Sequence, residues 1–285
     1  MFKIGIIGTE NSHAGAFIEI FKNDPAYADM QVVCVGGMYE DANKKLQEKY
    51  GVEIINEPEN MLGKVDAAMI TCRDGKYHAG YAEKFIRAGI PVFVDKPFTV
   101  NGDEAVALIE LATEKKVPIV GGSSLKSAYD VLFLENTVNL NKKDVKGGTL
   151  IAPVSMNNEY SGFYFYSSHL AEMCLRVFGY DPKAVTARLC NNNVVAMVEY
   201  EDYTVNLQFV EDCNCYYGQV ITSAGSYARN IDLSFIYRHE CEEFADMLRN
   251  GKMKYSYEQL VKAVFLLNAI EQAYTTGERV EIRKI

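Results

Sequence analysis

The feature that most constrains this chain is an alternation through its first 122 residues, in which short apolar runs are each followed by a segment with helical spacing. The runs are Phe2 to Gly8, Met30 to Val35, Val65 to Cys72, Ile90 to Val94 and Val117 to Val120. Segments from about Ala14 to Lys22, Asp41 to Tyr50, His78 to Ala88 and Gly102 to Lys116 separate them, with Gly51 and Gly89 placed to end the second and third. A run that is apolar throughout needs cover on both faces. Interleaved helices supply that cover, so the pattern predicts an α/β fold with a doubly wound parallel sheet.

From about Ser123 the pattern changes. One helical stretch, Ala128 to Leu140, leads through Gly147-Gly148 into strands that alternate apolar and polar residues. Val194, Ala196, Val198 and Tyr200 precede Glu201-Asp202, and Val205, Leu207 and Phe209 follow it, which predicts a hairpin with one buried face. Tyr216 to Ala224 and Ile231 to Phe235 read as further strands. Tyr237 to Arg249 and Tyr257 to Thr275 read as helices that stop at Asn250-Gly251 and Gly277. The expected division is therefore a nucleotide-type domain over residues 1–122 and an α+β domain with an open, mainly antiparallel sheet over 123–285.

Composition narrows the partners. A net charge of −9 with no basic stretch argues against nucleic acid, because nothing is placed to neutralise phosphates. No apolar run reaches the ~20 residues of a membrane helix, and Met1 to Ile6 opens a strand where a signal peptide needs a basic region and a longer apolar one. The expectation is a cytoplasmic protein with no membrane partner. Seven cysteines, scattered and often inside apolar runs (Cys34, Cys72, Cys190), suit reduced thiols. Cys213-Asn214-Cys215 has no further Cys or His at ligand spacing, so no metal site is expected.

Ligands of open parallel sheets bind outside the carboxyl ends of the strands, so the turns there carry the candidate site. Gly8-Thr9-Glu10-Asn11-Ser12-His13 occupies the place of a phosphate turn, where backbone amides and a helix's positive end face a pyrophosphate. If Gly8 is the first glycine of G-x-G-x-x-G, Glu10 and His13 fill the second and third places. Glu10 would repel phosphate unless it turns outward or meets a cation, and Asn11 or Ser12 would cap the following helix. Strand two ends in Gly36-Gly37-Met38-Tyr39, without the acid that holds a ribose hydroxyl and without a base for a 2′-phosphate. Glu40 and Asp41 fall slightly late. The cofactor is NAD or NADP, and the missing base favours NAD. Thr71, Cys72, Arg73 and His78 follow strand three, and Asp95-Lys96-Pro97 closes the next strand, where Pro97 removes an amide donor and leaves Lys96 at the strand's end. Gly8, Thr9, Glu10, Asn11, Ser12, Gly37, Thr71, Cys72, Arg73, His78, Asp95 and Lys96 form the candidate cofactor-binding set.

Together these segments resemble the Gfo/Idh/MocA family of oxidoreductases. In that family a threonine-ended strand precedes a histidine-started helix, as at Thr71 to His78, and a Glu-Lys-Pro tripeptide follows the next strand, here Asp95-Lys96-Pro97. Phe244 to Lys252 and the helix and strand from Ala269 to Val280 resemble the family's last segments, so the resemblance covers nearly the whole chain. It implies a Rossmann domain beside an open-sheet domain whose face forms a homo-oligomer contact. It also implies hydride transfer between a nicotinamide and a sugar, polyol or related hydroxyl or carbonyl group, with Lys96 between nicotinamide and substrate. Ser161 to Met173 resembles the family helix in which an Asp and a His four residues apart face the substrate. His169 matches the histidine, whereas Phe165 stands in the acid's place. Tyr166 at i−3 can offer a hydroxyl and Glu172 at i+3 can orient the imidazole, giving Lys96, His169 and Tyr166 as the catalytic candidates. Ser123, Ser124 and Lys126 stand where the family often places an Asn- or Arg-containing turn. The damaged fingerprint and the missing acid define the alternative, a member of the fold that has lost hydride transfer and serves as a ligand-binding or regulatory protein.

Overall fold

The computed structural model describes residues 1–285, which divide into two compact units, Met1–Gly122 with Tyr237–Leu260, and Ser123–Ile236 with Val261–Ile285. In the first unit the strands are β1 (Phe2–Ile7), β2 (Met30–Gly36), β3 (Glu53–Ile54), β4 (Ala67–Ile70), β5 (Val92–Asp95) and β6 (Ile119–Gly122), and the helices are α1 (Ser12–Asn23), α2 (Glu40–Tyr50), α3 (His78–Arg87) and α4 (Gly102–Lys115). The strands pair in parallel in the order β3-β2-β1-β4-β5-β6. That is the doubly wound dinucleotide-binding order, and it reverses between β1 and β4. The turns at that reversal carry Gly8 to Ser12 and Thr71 to His78.

Local chemistry sets the element ends. The Asn11 side chain accepts from the His13 amide at the start of α1, Asn101 accepts from the Asp103 and Glu104 amides at the start of α4, and Gly51 ends α2 at φ 75°. The two-residue β3 is too short to carry a period, so the sequence does not announce it.

In the second unit, α5 (Tyr129–Leu140) and α6 (Tyr164–Phe178) accompany strands β7 (Val145–Val154), β8 (Ala184–Cys190), β9 (Asn193–Glu199), β10 (Thr204–Glu211), β11 (Tyr217–Thr222) and β12 (Gly225–Asn230). After α7 (Ile236–Asn250), nearly all of which belongs to the first unit, and α8 (Tyr257–Thr276), β13 (Val280–Glu281) closes the second unit's seven-stranded sheet, in the order β12-β11-β7-β10-β9-β8-β13. Only β7 and β10 pair in parallel; the other pairs are antiparallel. The β9–β10 hairpin has the expected buried face, with Val194, Ala196, Val198, Val205, Leu207 and Phe209 fully buried. Its other face presents Val195 and Met197, both exposed.

One expected strand is absent. Ile231 to Phe235 is irregular, because Asp232 draws its neighbours into a local turn: its carboxylate accepts from both the amide and the hydroxyl of Ser234, and its own amide donates to Asp130. The strand lies just before it, in β12, an edge strand that is largely exposed and so shows no apolar alternation.

The apolar face of α7 joins the first unit. Cys241, Phe244, Ala245 and Met247 share a core with Ile4, Phe17, Phe21, Met69 and Phe93, and Phe244 lies 6.2 Å from Phe21 and 6.3 Å from Phe93, ring centre to ring centre. Spacing along a helix shows that an apolar face exists, not which core receives it.

Candidate functional site

The phosphate turn is built from backbone crowding. Gly8 has φ +97°, and a Cβ there would stand 2.2 Å from the Cys72 amide nitrogen; Gly37 has φ +129°, and its Cβ would stand 3.1 Å from the Gly8 nitrogen. Only glycine allows the ends of β1, β2 and β4 to approach so closely. Side chains then lock the turns. The Thr71 hydroxyl donates to the Gly8 carbonyl at 2.5 Å, Asn11 Nδ2 donates to the Thr71 carbonyl at 2.6 Å, and the Thr9 hydroxyl donates to Asn43 Oδ1 at 2.5 Å, while Asn43 Nδ2 donates to the Gly37 carbonyl at 3.1 Å. Glu10 Oε1 accepts from the Arg73 amide at 2.7 Å. The carboxylate at the second fingerprint position is therefore tied to the loop after β4. Ser12 opens α1 and is exposed. The turn has a glycine at the first position and a helix amino terminus beyond it, the two features that receive an anion at the edge of a parallel sheet.

The third fingerprint position holds the largest departure. His13 is buried, and its Nδ1 lies 2.6 Å from Oδ2 of Asp95, a carboxylate with no exposed surface. Asp95 Oδ1 accepts from the Lys96 amide at 2.6 Å. The rings of Tyr237 and Phe17 pack edge-on against the imidazole, 4.7 and 5.9 Å away. Burial by itself would raise the Asp95 pKa, but His13, 2.6 Å away, with Lys96 beside it, holds it below the usual carboxylate value. Burial pulls Lys96 below the usual lysine range; Asp95 opposes that pull, Arg73 adds to it, and Glu240 opposes it.

Glu240, a buried carboxylate on α7, was not among the candidates from sequence. Its readable signal was spacing, since it falls on the same helical face as Phe244 and Met247, both buried. His78 has no exposed surface, and both ring nitrogens meet protein carbonyls, Nδ1 with Pro97 at 2.7 Å and Nε2 with Cys72 at 2.8 Å. It braces the loop after β4 against the loop after β5. The Cys72 thiol is buried, and burial, reinforced by the Glu10 charge, pushes its pKa well up.

In the second unit, His169 lies inside α6. Its Nδ1 is 2.7 Å from the Ser123 hydroxyl, which also accepts from the Leu125 amide at 3.2 Å. Glu172 accepts from the Ser123 amide at 2.7 Å and from Lys126 Nζ at 3.1 Å. All four side chains are buried. The imidazole is thus oriented through Ser123, itself held by the carboxylate expected to do that work directly. Ser123 and Lys126 depart from the family's usual turn, yet they form the partner network of the matching histidine. The half-buried Tyr166 and Tyr216 flank the imidazole, with ring centres 6.1 and 6.3 Å away. Phe165, in the acid's place, packs on Tyr160 and Tyr166. Tyr164 donates to Glu271 at 2.6 Å and accepts from Asn268 at 2.7 Å, a structural arrangement.

No group of three or more His, Cys, Asp or Glu gathers to hold a metal ion, and no helix is long and apolar enough to cross a membrane.

Residues 2–122 match the model of an oxidoreductase family with an NAD-binding Rossmann fold, GFO_IDH_MocA. Solved structures match over the whole chain. GenD2 from gentamicin A biosynthesis, in complex with NAD, has a TM-score of 0.87 at 17% identity, covering 99% of this chain and 97% of that one. The scyllo-inositol dehydrogenase of Lactobacillus casei, with bound NAD(H) and scyllo-inositol, has a TM-score of 0.84 at 14% identity, covering 99% of both chains. A myo-inositol dehydrogenase of Corynebacterium glutamicum has a TM-score of 0.84 at 16% identity, covering 100% of both. At these identities the likeness establishes the shared fold. No curated protein matches the sequence.

Proposed function

We propose that this chain, whose residues 2–122 match the GFO_IDH_MocA oxidoreductase family with its NAD-binding Rossmann fold, transfers a hydride between NAD and a hydroxyl or carbonyl carbon of an inositol-like or sugar-like polyol. The observation that carries the reading is Lys96, delivered by β5 to the carboxyl edge of the parallel sheet, buried there, and with its pKa drawn down by that burial. A lysine so placed can hold the reacting oxygen, stabilise its developing negative charge and exchange its proton with it.

The turn at Gly8, Thr9, Glu10, Asn11 and Ser12 would hold the pyrophosphate, with Gly37, Thr71, Cys72 and Arg73 lining the neighbouring strand ends. When bound, the nicotinamide supplies the hydride acceptor. NAD is favoured over NADP because the first turn of α2 carries Glu40 and Asp41 and no base, and a 2′-phosphate there would meet like charge. His169, oriented by Ser123, is proposed as a proton-handling group on the second unit, with Tyr166 as a hydroxyl beside it. The relatives' inositol substrates support a polyol for this chain as well.

The exposed face of the second sheet, which carries Val195, Met197 and Ile221, is proposed to meet a second copy of the chain.

Fluorescence and thermal-shift titration with NADH and NADPH tests the cofactor, with NADH expected to bind the tighter. Reduction of NAD with scyllo-inositol, myo-inositol and related polyols tests the reaction. Lys96→Ala is expected to lower kcat by at least about 100-fold while NADH still binds. Full turnover in that variant would remove Lys96 from the mechanism, and no response to either nucleotide would overturn the reading as a whole.

A further inference from the structure

We propose that His13 is a positioning residue for Lys96: from α1 it holds the Asp95 carboxylate at the end of β5, beside the lysine. The inference rests on the oxidoreductase reading above and deepens it. A phosphate turn has no need of an imidazole at its third fingerprint position, where glycine ordinarily serves close packing between helix and sheet. Here the side chain is directed away from that role. It is 7% exposed, its Nδ1 lies 2.6 Å from Asp95, and the Tyr237 and Phe17 rings pack against it.

Asp95 divides its two oxygens between the partners. Oδ2 meets His13, and Oδ1 accepts the amide of Lys96 itself. With no exposed surface, the carboxylate depends on the protein for its charge, because burial disfavours the ionised form unless a donor or opposite charge offsets it.

The charged groups that bear on Lys96 are Asp95, its neighbour at the end of β5, Arg73 on the loop after β4, and Glu240 on α7. Cys72, beside Arg73, is a buried thiol whose raised pKa keeps it neutral, and Glu10 is tied to the Arg73 amide. Burial and Arg73 favour the neutral amine, whereas Asp95 and Glu240 favour the ammonium. Removing His13 weakens the Asp95 charge and leaves Glu240 as the one opposing carboxylate of the two. The neutral fraction of Lys96 then rises at every pH below its midpoint.

Competitive acylation of the intact protein across a pH series, with the Lys96 peptide quantified by mass spectrometry, reads this midpoint without any need for turnover. His13→Ala is expected to move it down by about one pH unit, a tenfold rise in neutral amine on the acid side. His13→Asn, which retains an N–H donor, is expected to move it less. Asp95→Asn moves it in the same direction, and adding His13→Ala to Asp95→Asn produces no further shift, because His13 acts through Asp95. Circular dichroism and thermal unfolding identify variants that fold; if His13→Ala does not, His13→Asn and Asp95→Asn with their double variant carry the comparison. An unchanged or raised midpoint in the folded His13 variant overturns the proposal, and so does a full-sized His13 effect that persists in the Asp95→Asn background. Nucleotide titration of the same preparations decides the oxidoreductase reading separately.

Discussion

Two residues at strand ends show what single side chains do in this site. Gly8 admits no side chain, because its φ of +97° and the Cys72 backbone 2.2 Å from a would-be Cβ both exclude one. Gly8→Ala is expected to cost about 1–3 kcal/mol in urea unfolding, from backbone strain and displaced neighbours, and to abolish NADH binding. Asp95 predicts a pH dependence. Its folded pKa lies below the ordinary value of about 3.9, so the native state binds fewer protons there than the unfolded chain does. The resulting stabilisation is present above that ordinary value and is lost as pH falls through the folded one. Unfolding free energies of the wild type and Asp95→Asn, measured across acid pH, are therefore expected to differ at neutral pH by an amount that shrinks below about pH 4. The strand that ends at Asp95-Lys96-Pro97 was legible from its apolar residues and its proline, and so was the glycine turn. The His13–Asp95 contact was not, because it joins residues 82 positions apart on different elements, and sequence spacing carries no information about such a pair.

Elements were legible where periodicity was strong. The helices α2, α3 and α4 and the β9–β10 hairpin lie where the spacing predicted them, because each has one face that must leave water. The failures include β3, with two residues, β8, which no strand reading covered, and β12, on an exposed edge, while the apolar run from Ile231 was overridden by the Asp232 turn. Helix α7 teaches a different lesson. Its amphipathic pattern was clear, and its apolar face is buried against α1 and β5 of the first unit. Phe244→Ala is expected to destabilise the first unit by about 3–5 kcal/mol in denaturant unfolding, the cost of removing a fully buried aromatic ring. Since α7 also carries Glu240, whose charge bears on Lys96, the same variant is expected to disturb the site along with the core.

At the scale of the whole molecule, the proposed second-copy contact predicts a change of assembly. A Val195→Lys, Met197→Glu pair on the exposed sheet face is expected to yield monomers in light scattering where the wild type gives an oligomer, with each chain's unfolding midpoint little changed, because both positions face outward. A wild-type monomer would remove the contact. The sequence by itself determined the parallel sheet, the hairpin and the place of the lysine, because each follows from a local period, a proline or a glycine whose effect extends only a few residues. Tertiary structure decided which charges surround that lysine, which core receives α7, and that Ser123, with Glu172 behind it, orients His169. Those are contacts across long separations in the chain. Their energies depend on burial and on partner geometry, and neither exists until the chain has folded.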